Sequence, residues 1–146
     1  MLSRIAESLF WIGRYLERAD DTARILDVQL QVLVEDPSVD ESVLCTQLLA
    51  VMGVEDHPEV VNRWTILDLL AHSTEAPSSI AYAIDAAREG ARGARETLST
   101  DIWEAINTMW RGLPSARTRR PPDMFAWVRG RTAMINGIAD GTMPRD

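Results

Sequence analysis

Over residues 3–33 an apolar side chain recurs every three or four positions: Ile5, Leu9, Ile12, Leu16, Ala19, Ala23, Leu26, Leu30 and Leu33. Neither proline nor a cluster of turn residues interrupts the run, and Gly13 is its one weak position. A period of 3.6 held for this long specifies one long amphipathic helix, whose apolar stripe must be covered by other elements. Asp36-Pro37-Ser38 then stops it. No later segment alternates with the period of two that a half-buried strand needs. The chain is therefore predicted to be all-α, a helical bundle of about six helices with short loops and antiparallel neighbours.

The other helices are predicted from their punctuation. The second covers residues 39–52, with Gly53 as its stop. The third covers residues 58–71, with Pro58 near its start. The break Glu75-Ala76-Pro77-Ser78 leads into a fourth over residues 79–98. Ser99-Thr100-Asp101 restarts the chain as a fifth, through Trp110. Residues 111–120 read as a polar, basic loop, and a sixth helix covers residues 123–139, broken by Gly141. At 146 residues the whole, 1–146, is expected to be a single domain with a core of its own.

Charge narrows the function classes. Lys+Arg is 15 against 22 Asp+Glu, a net charge of -7, and every basic residue is Arg. A general nucleic-acid binder or a binder of anionic membrane needs a basic footprint, so neither partner is expected. Arg4, Glu7 and Arg14 break the N-terminal apolar run, which excludes a signal peptide, and no run is long enough to span a membrane, so a cytoplasmic location is expected. The single cysteine, Cys45, lies in an apolar helical stretch and reads as a small buried hydrophobe. His57 and His72 lack metal-ligand spacing with any other donor. No metal or cofactor is called for.

The polar residues that stand out form stripes. On a helical wheel Glu7, Arg14, Glu17, Arg18, Asp21 and Arg24 fall within an arc of about 120°, opposite the apolar set. In the fourth helix Arg88, Arg92 and Arg95 stand at i, i+4 and i+7, with Glu96 following and with Ala87, Ala91 and Ala94 beside them to admit a close neighbour. Three arginines on one face need an anionic offset, either carboxylates of the first helix or a phosphate or carboxylate ligand. The fifth helix adds Trp103, Glu104 and Asn107, the last two one turn apart. Solvated or structural ion pairs account for such stripes more readily than a binding pocket does. Most of the five tryptophans are expected in the core, and Trp11, on the flank of the first stripe, is expected to be partly buried.

The opening residues Met1-Leu2-Ser3-Arg4-Ile5-Ala6-Glu7-Ser8-Leu9-Phe10-Trp11-Ile12-Gly13-Arg14-Tyr15-Leu16-Glu17-Arg18-Ala19-Asp20 resemble the start of the bacterial alpha-E family, which is named for a Glu-Arg motif, here Glu17-Arg18. The similarity continues through Thr22-Ala23-Arg24 and Leu26-Asp27. It resumes at Pro77-Ser78-Ser79-Ile80, over residues 87–96, at Trp103-Glu104 with Asn107, and at Thr142-Met143 with Arg145-Asp146. Gly90 departs from the family, which usually has Asn there. Family members are longer and repeat the Glu-Arg motif, so the chain resembles the N-terminal half of a duplicated fold. That suggests a homodimer in which a second copy covers the missing half.

The resemblance implies association with ATP-grasp-type and transglutaminase-like proteins, and hence a part in making or processing amide bonds on a peptide. Three readings stand. The chain is an accessory helical module that holds an ATP-grasp-type ligase or its peptidic substrate. Alternatively it is an enzyme, or half of one, with an Arg/Glu/Asn pocket for an anionic substrate and with Glu7 or Glu17 as a base raised by burial. Or it is a structural dimeric bundle whose stripes are buried ion pairs.

Overall fold

The computed structural model describes residues 2–142. It contains α1 (Leu2–Glu35), α2 (Glu41–Val51), α3 (Arg63–Leu67), α4 (Ile80–Gly93), α5 (Thr100–Ala116) and α6 (Pro121–Thr142). A single π-helical turn, Asp68–His72, extends α3. No strand occurs among the described residues. None of their helices is long and apolar enough to cross a membrane.

Helix α1 is the axis of the fold. Its 34 residues give a rod of about 51 Å. Ile12, Leu16, Ala19, Ala23 and Leu26 are buried along one side. Three cross-contacts fix the directions of the bundle. Gly90 of α4 lies against Ile12, Thr132 of α6 bonds Asp20, and Asp85 and Arg88 of α4 meet Trp110 and Asn107 of α5. Arg18, further along α1 than Ile12, reaches Pro77 just ahead of α4. So α1 runs antiparallel to α4, and α4 to α5. Helix α6 returns against both α1 and α5, and the four make an up-down-up-down bundle. Ile80, Ile84, Ile106, Met109, Met124, Phe125 and Val128 fill its interior. Burying each contributes about 1.5–3 kcal/mol. The alanines Ala87 and Ala91 are buried on α4 and Ala94 just beyond it, as their spacing predicted, and Ala83 is buried on the same helix.

Helix ends follow side-chain capping more closely than the punctuation did. Asp40 caps α2 through the Val43 N–H at 3.1 Å, and Gly53, at φ 76, turns the chain out of it. The expected start of α3 at Pro58 is wrong. Asn62 forms a capping box with Thr65, so the helix begins at Arg63 and Pro58 lies outside it. Ser79 caps α4 through the Tyr82 N–H at 3.0 Å.

Helix α4 stops at Gly93 rather than running through residue 98. The Thr97 hydroxyl donates to the Ala94 carbonyl at 2.8 Å, and residues 94–97 form a turn. Arg95 and Glu96 are therefore not on the helix. The expected basic loop over 111–120 is mostly helix, since α5 continues to Ala116 through Pro114. Losing the one backbone bond that Pro114 cannot make is outweighed by burial of Leu113 and Ala116. Helix α6 begins earlier than expected, at Pro121, where a missing N–H costs nothing, and it passes through Gly141. Met143, Arg145 and Asp146, part of the family-like block, lie outside the described residues.

The tryptophans also depart from expectation, because none is fully buried. Trp103, Trp110 and Trp127 pack on the edge of the core, while Trp11 is 49% and Trp64 70% exposed. The bundle interior is filled by alanine, aliphatic and methionine side chains and by Phe125, and the indole rings take its margins.

Candidate functional site

The expected stripes occupy three places and do not converge on one pocket. On α1 the stripe faces outward. Arg14 pairs with Glu17 at 3.2 Å, with 52% and 59% of the two side chains exposed. Glu7, Asp21 and Arg24 are also exposed. The burial needed to raise Glu7 or Glu17 into a general base, or to make these pairs a buried register device, is not found in the single chain.

The two residues of the Glu-Arg motif do different things. Arg18 turns toward the body of the fold and donates to the Pro77 carbonyl at 2.8 Å, with its guanidinium 5.8 Å from the Tyr15 ring. Glu17 stays at the surface with Arg14. Next to them Phe10 and Trp11 meet edge to face at 5.5 Å, with Phe10 59% exposed. Two aromatic rings beside an exposed ion pair make an apolar patch with a polar margin, which resembles the anatomy of protein interfaces.

Between α4 and α5 the structure does join predicted residues. Arg88 donates to the Asn107 carbonyl oxygen at 3.4 Å, pairs with Glu89 at 3.0 Å and lies 4.2 Å from the centre of the Trp110 ring. The Trp110 Nε1–H donates to Asp85 at 2.8 Å. Arg92 shares Glu89 at 3.4 Å. The expected offset from α1 carboxylates is therefore supplied from within α4. Beyond the helix end Arg95 lies 5.2 Å over the Trp103 ring. Glu96 and Glu104 are exposed.

Two polar sets were missed. Asp20, with 24% of its side chain exposed, accepts from Thr132 at 3.1 Å and from Arg24 at 3.1 Å, and it faces Arg129 at 3.9 Å. Asp85 anchors Trp110. In each case the available signal was a lone carboxylate at the edge of an apolar stripe, one turn from an arginine: Asp20 with Arg24, and Asp85 with Arg88.

The other reactive groups are tied up or inert. Cys45 is fully buried, and burial first, then the Glu41 charge, pushes its thiol up to about 11. So little thiolate forms that it is no nucleophile. Glu41 accepts from Arg63 Nη2 at 2.6 Å, from Nε at 3.0 Å and from the Arg63 N–H at 3.2 Å, bonds that hold its carboxyl below the ordinary range. Burial lowers the His72 imidazole, whose Nδ1 is buried without a partner. Among the described residues no three His, Cys, Asp or Glu side chains gather as metal ligands would.

A family model named Alpha-E, described as a predicted alpha-helical domain with a conserved ER motif, matches residues 1–146. An uncharacterized protein of Mycobacterium bovis is 28% identical over 127 residues, 75% of this chain and 14% of that protein. An uncharacterized protein of Mycobacterium tuberculosis strain CDC 1551 matches with the same figures. One of strain H37Rv is 27% identical over the same length. The chain thus spans 14% of the length of these curated relatives. No solved structure matches it.

Proposed function

The chain belongs to the Alpha-E family, and from that premise we propose that it is an accessory helical module in a bacterial amide-bond-forming or peptide-modifying system. It holds an ATP-grasp-type ligase, or that ligase's peptidic substrate, on the outer face of α1. The observation that carries this reading is the exposed pair Phe10 and Trp11 beside the solvent-facing Arg14–Glu17 ion pair. Large aromatic side chains left in water have an unfavourable free energy that a partner removes, and such rings with a neighbouring arginine are the residue types that dominate binding energy. The ER motif then couples two tasks: Arg18 locks α1 to the loop ahead of α4, and Glu17 is presented outward.

A homodimer is a second reading, and α6 favours it. Gly130, Met134, Gly137 and Gly141 lie at i, i+4, i+7 and i+11, all exposed. A Cβ at any of the three glycines would meet nothing within 4 Å. Such a face admits the close approach of another helix.

Light scattering separates the readings. The chain is measured alone and mixed with an ATP-grasp-type protein or a transglutaminase-like protein encoded beside it. A mixed complex supports the accessory module. Twice the chain mass in the unmixed sample supports the dimer. Independent species of single-chain mass in every mixture contradict both.

A further inference from the structure

We propose that the groove between the start of α1 and the end of α4 is an oxyanion-binding site, taking a carboxylate or phosphate group of a ligand. This rests on different residues from the α1 face above and does not depend on what binds there.

The groove has a volume of about 590 Å³ and is lined by Arg4, Ile5, Ser8, Arg92, Arg95 and Glu96, among others. Its three arginines come from the beginning of α1 (Arg4), the last turn of α4 (Arg92) and the turn that follows it (Arg95). Arg92 shares Glu89 with Arg88. Arg4 and Arg95 form no ion pair among the described residues, and the Ser8 hydroxyl makes no hydrogen bond there. The Arg95 guanidinium carbon lies 5.2 Å from the centre of the Trp103 ring, a cation–π contact that uses none of its N–H donors on a carboxylate.

The end of a helix attracts cations, which gives a structural reason for Arg92 and Arg95. Its size is limited: the helix C-terminus presents about half a negative charge. Glu89 is divided between two arginines, and Glu96 adds one carboxylate. Arg4 and Arg95 are without an ion-paired carboxylate among the described residues, so their guanidinium groups line the groove unpaired on a chain of net charge -7. The groove on the other side of α1 shows the contrast. There Arg24 and Arg129 both face the Asp20 carboxylate, at 3.1 and 3.9 Å, whereas Arg4 and Arg95 form no ion pair among the described residues. Guanidinium groups suit carboxylate and phosphate alike through paired N–H donors, and Ser8 adds a hydroxyl.

The test is a titration with two probes, inorganic phosphate and triglutamate, at constant ionic strength. The Arg Nε–H and Trp103 indole N–H signals are followed by nitrogen–proton NMR. Saturable shifts at Arg4, Arg92, Arg95 and Trp103 are expected. Arg4→Ala and Arg95→Ala each weaken binding about tenfold. Arg111→Ala, on α5 and outside the groove, leaves it unchanged. Saturation by phosphate alone assigns the site to phosphorylated ligands, and by triglutamate alone to carboxylates. Saturation by both assigns it to oxyanions in general. Shifts that rise linearly with both probes, or saturation that persists in an Arg4→Ala/Arg95→Ala variant with a native melting curve, overturn the proposal.

Discussion

The Arg18 guanidinium reaches 59 positions along the sequence to donate to the Pro77 carbonyl at 2.8 Å, joining the middle of α1 to the loop that starts α4. Among the described residues its neighbour Glu17 makes no such connection and pairs with Arg14 at the surface. The motif therefore divides between holding the fold and facing outward.

That division predicts unequal costs. Arg18→Ala removes a charge-assisted bond to a backbone carbonyl and should lower stability by about 1 kcal/mol. Glu17→Ala removes an exposed ion pair and should stay within about 0.5 kcal/mol of the parent. Urea unfolding of the two variants checks this. Equal losses would refute the asymmetry.

Asp20 should matter more than the exposed carboxylates of α1. It is mostly buried and ties α1 to α6 through Thr132. Asp20→Ala removes one acceptor of the buried Thr132 hydroxyl, which keeps the Arg129 carbonyl at 3.0 Å, and should cost about 0.5–1.5 kcal/mol. A double-mutant cycle with Thr132→Val should show coupling of at least about 0.5 kcal/mol. Additive effects would mean that the contact contributes nothing.

Stability should depend on pH through His72. Burial lowers its imidazole, Arg117 adds to the effect and Asp68 opposes it. A histidine depressed in the folded state binds fewer protons folded than unfolded. Its contribution is complete above the ordinary value of 6.5 and is lost as pH falls below it. Urea midpoints should fall between pH 7.5 and 5, pH values at which Glu41, held below 4.5 by Arg63, still keeps its charge. His72→Gln should flatten that slope, and an unchanged slope would assign it elsewhere.

Gly112 should resist enlargement. A Cβ there would lie 2.9 Å from Cζ2 of Trp127, a rigid ring wedged between α5 and α6. Alanine gains about 1 kcal/mol of helix propensity, whereas overpacking costs about 1–3 kcal/mol. Gly112→Ala should therefore be net destabilising, with a changed Trp127 environment in near-ultraviolet circular dichroism. A more stable variant with an unaltered spectrum would contradict the packing. Gly90 is a milder case, with a Cβ 3.0 Å from Ile12. Glycine there serves the close approach of α1 and α4.

Much of the fold was legible because the period of α1 and the Ala87, Ala91 and Ala94 stripe encode burial directly. Helix boundaries were less so. The Asn62 cap, the Thr97 hydroxyl and the passage of α5 through Pro114 depend on partners that a breaker-based reading does not weigh. The outward stripe on α1 was visible on the wheel. The linkage of Arg18 to Pro77 and of Asp20 to Thr132 was not, since each depends on how helices distant in sequence come together. Trp11, expected to be partly buried on the flank of the stripe, is 49% exposed there.

The central claim is that the exposed face of α1 is a partner surface. The most direct test is isothermal titration of a neighbouring ATP-grasp-type protein with the parent chain and with Phe10→Ala/Trp11→Ala. Phe10 is 59% and Trp11 49% exposed and neither belongs to the buried core, so the variant should stay folded, as its melting curve checks. Loss of two interface aromatics should raise Kd about thirtyfold or more. An unchanged Kd in a folded variant would contradict the claim.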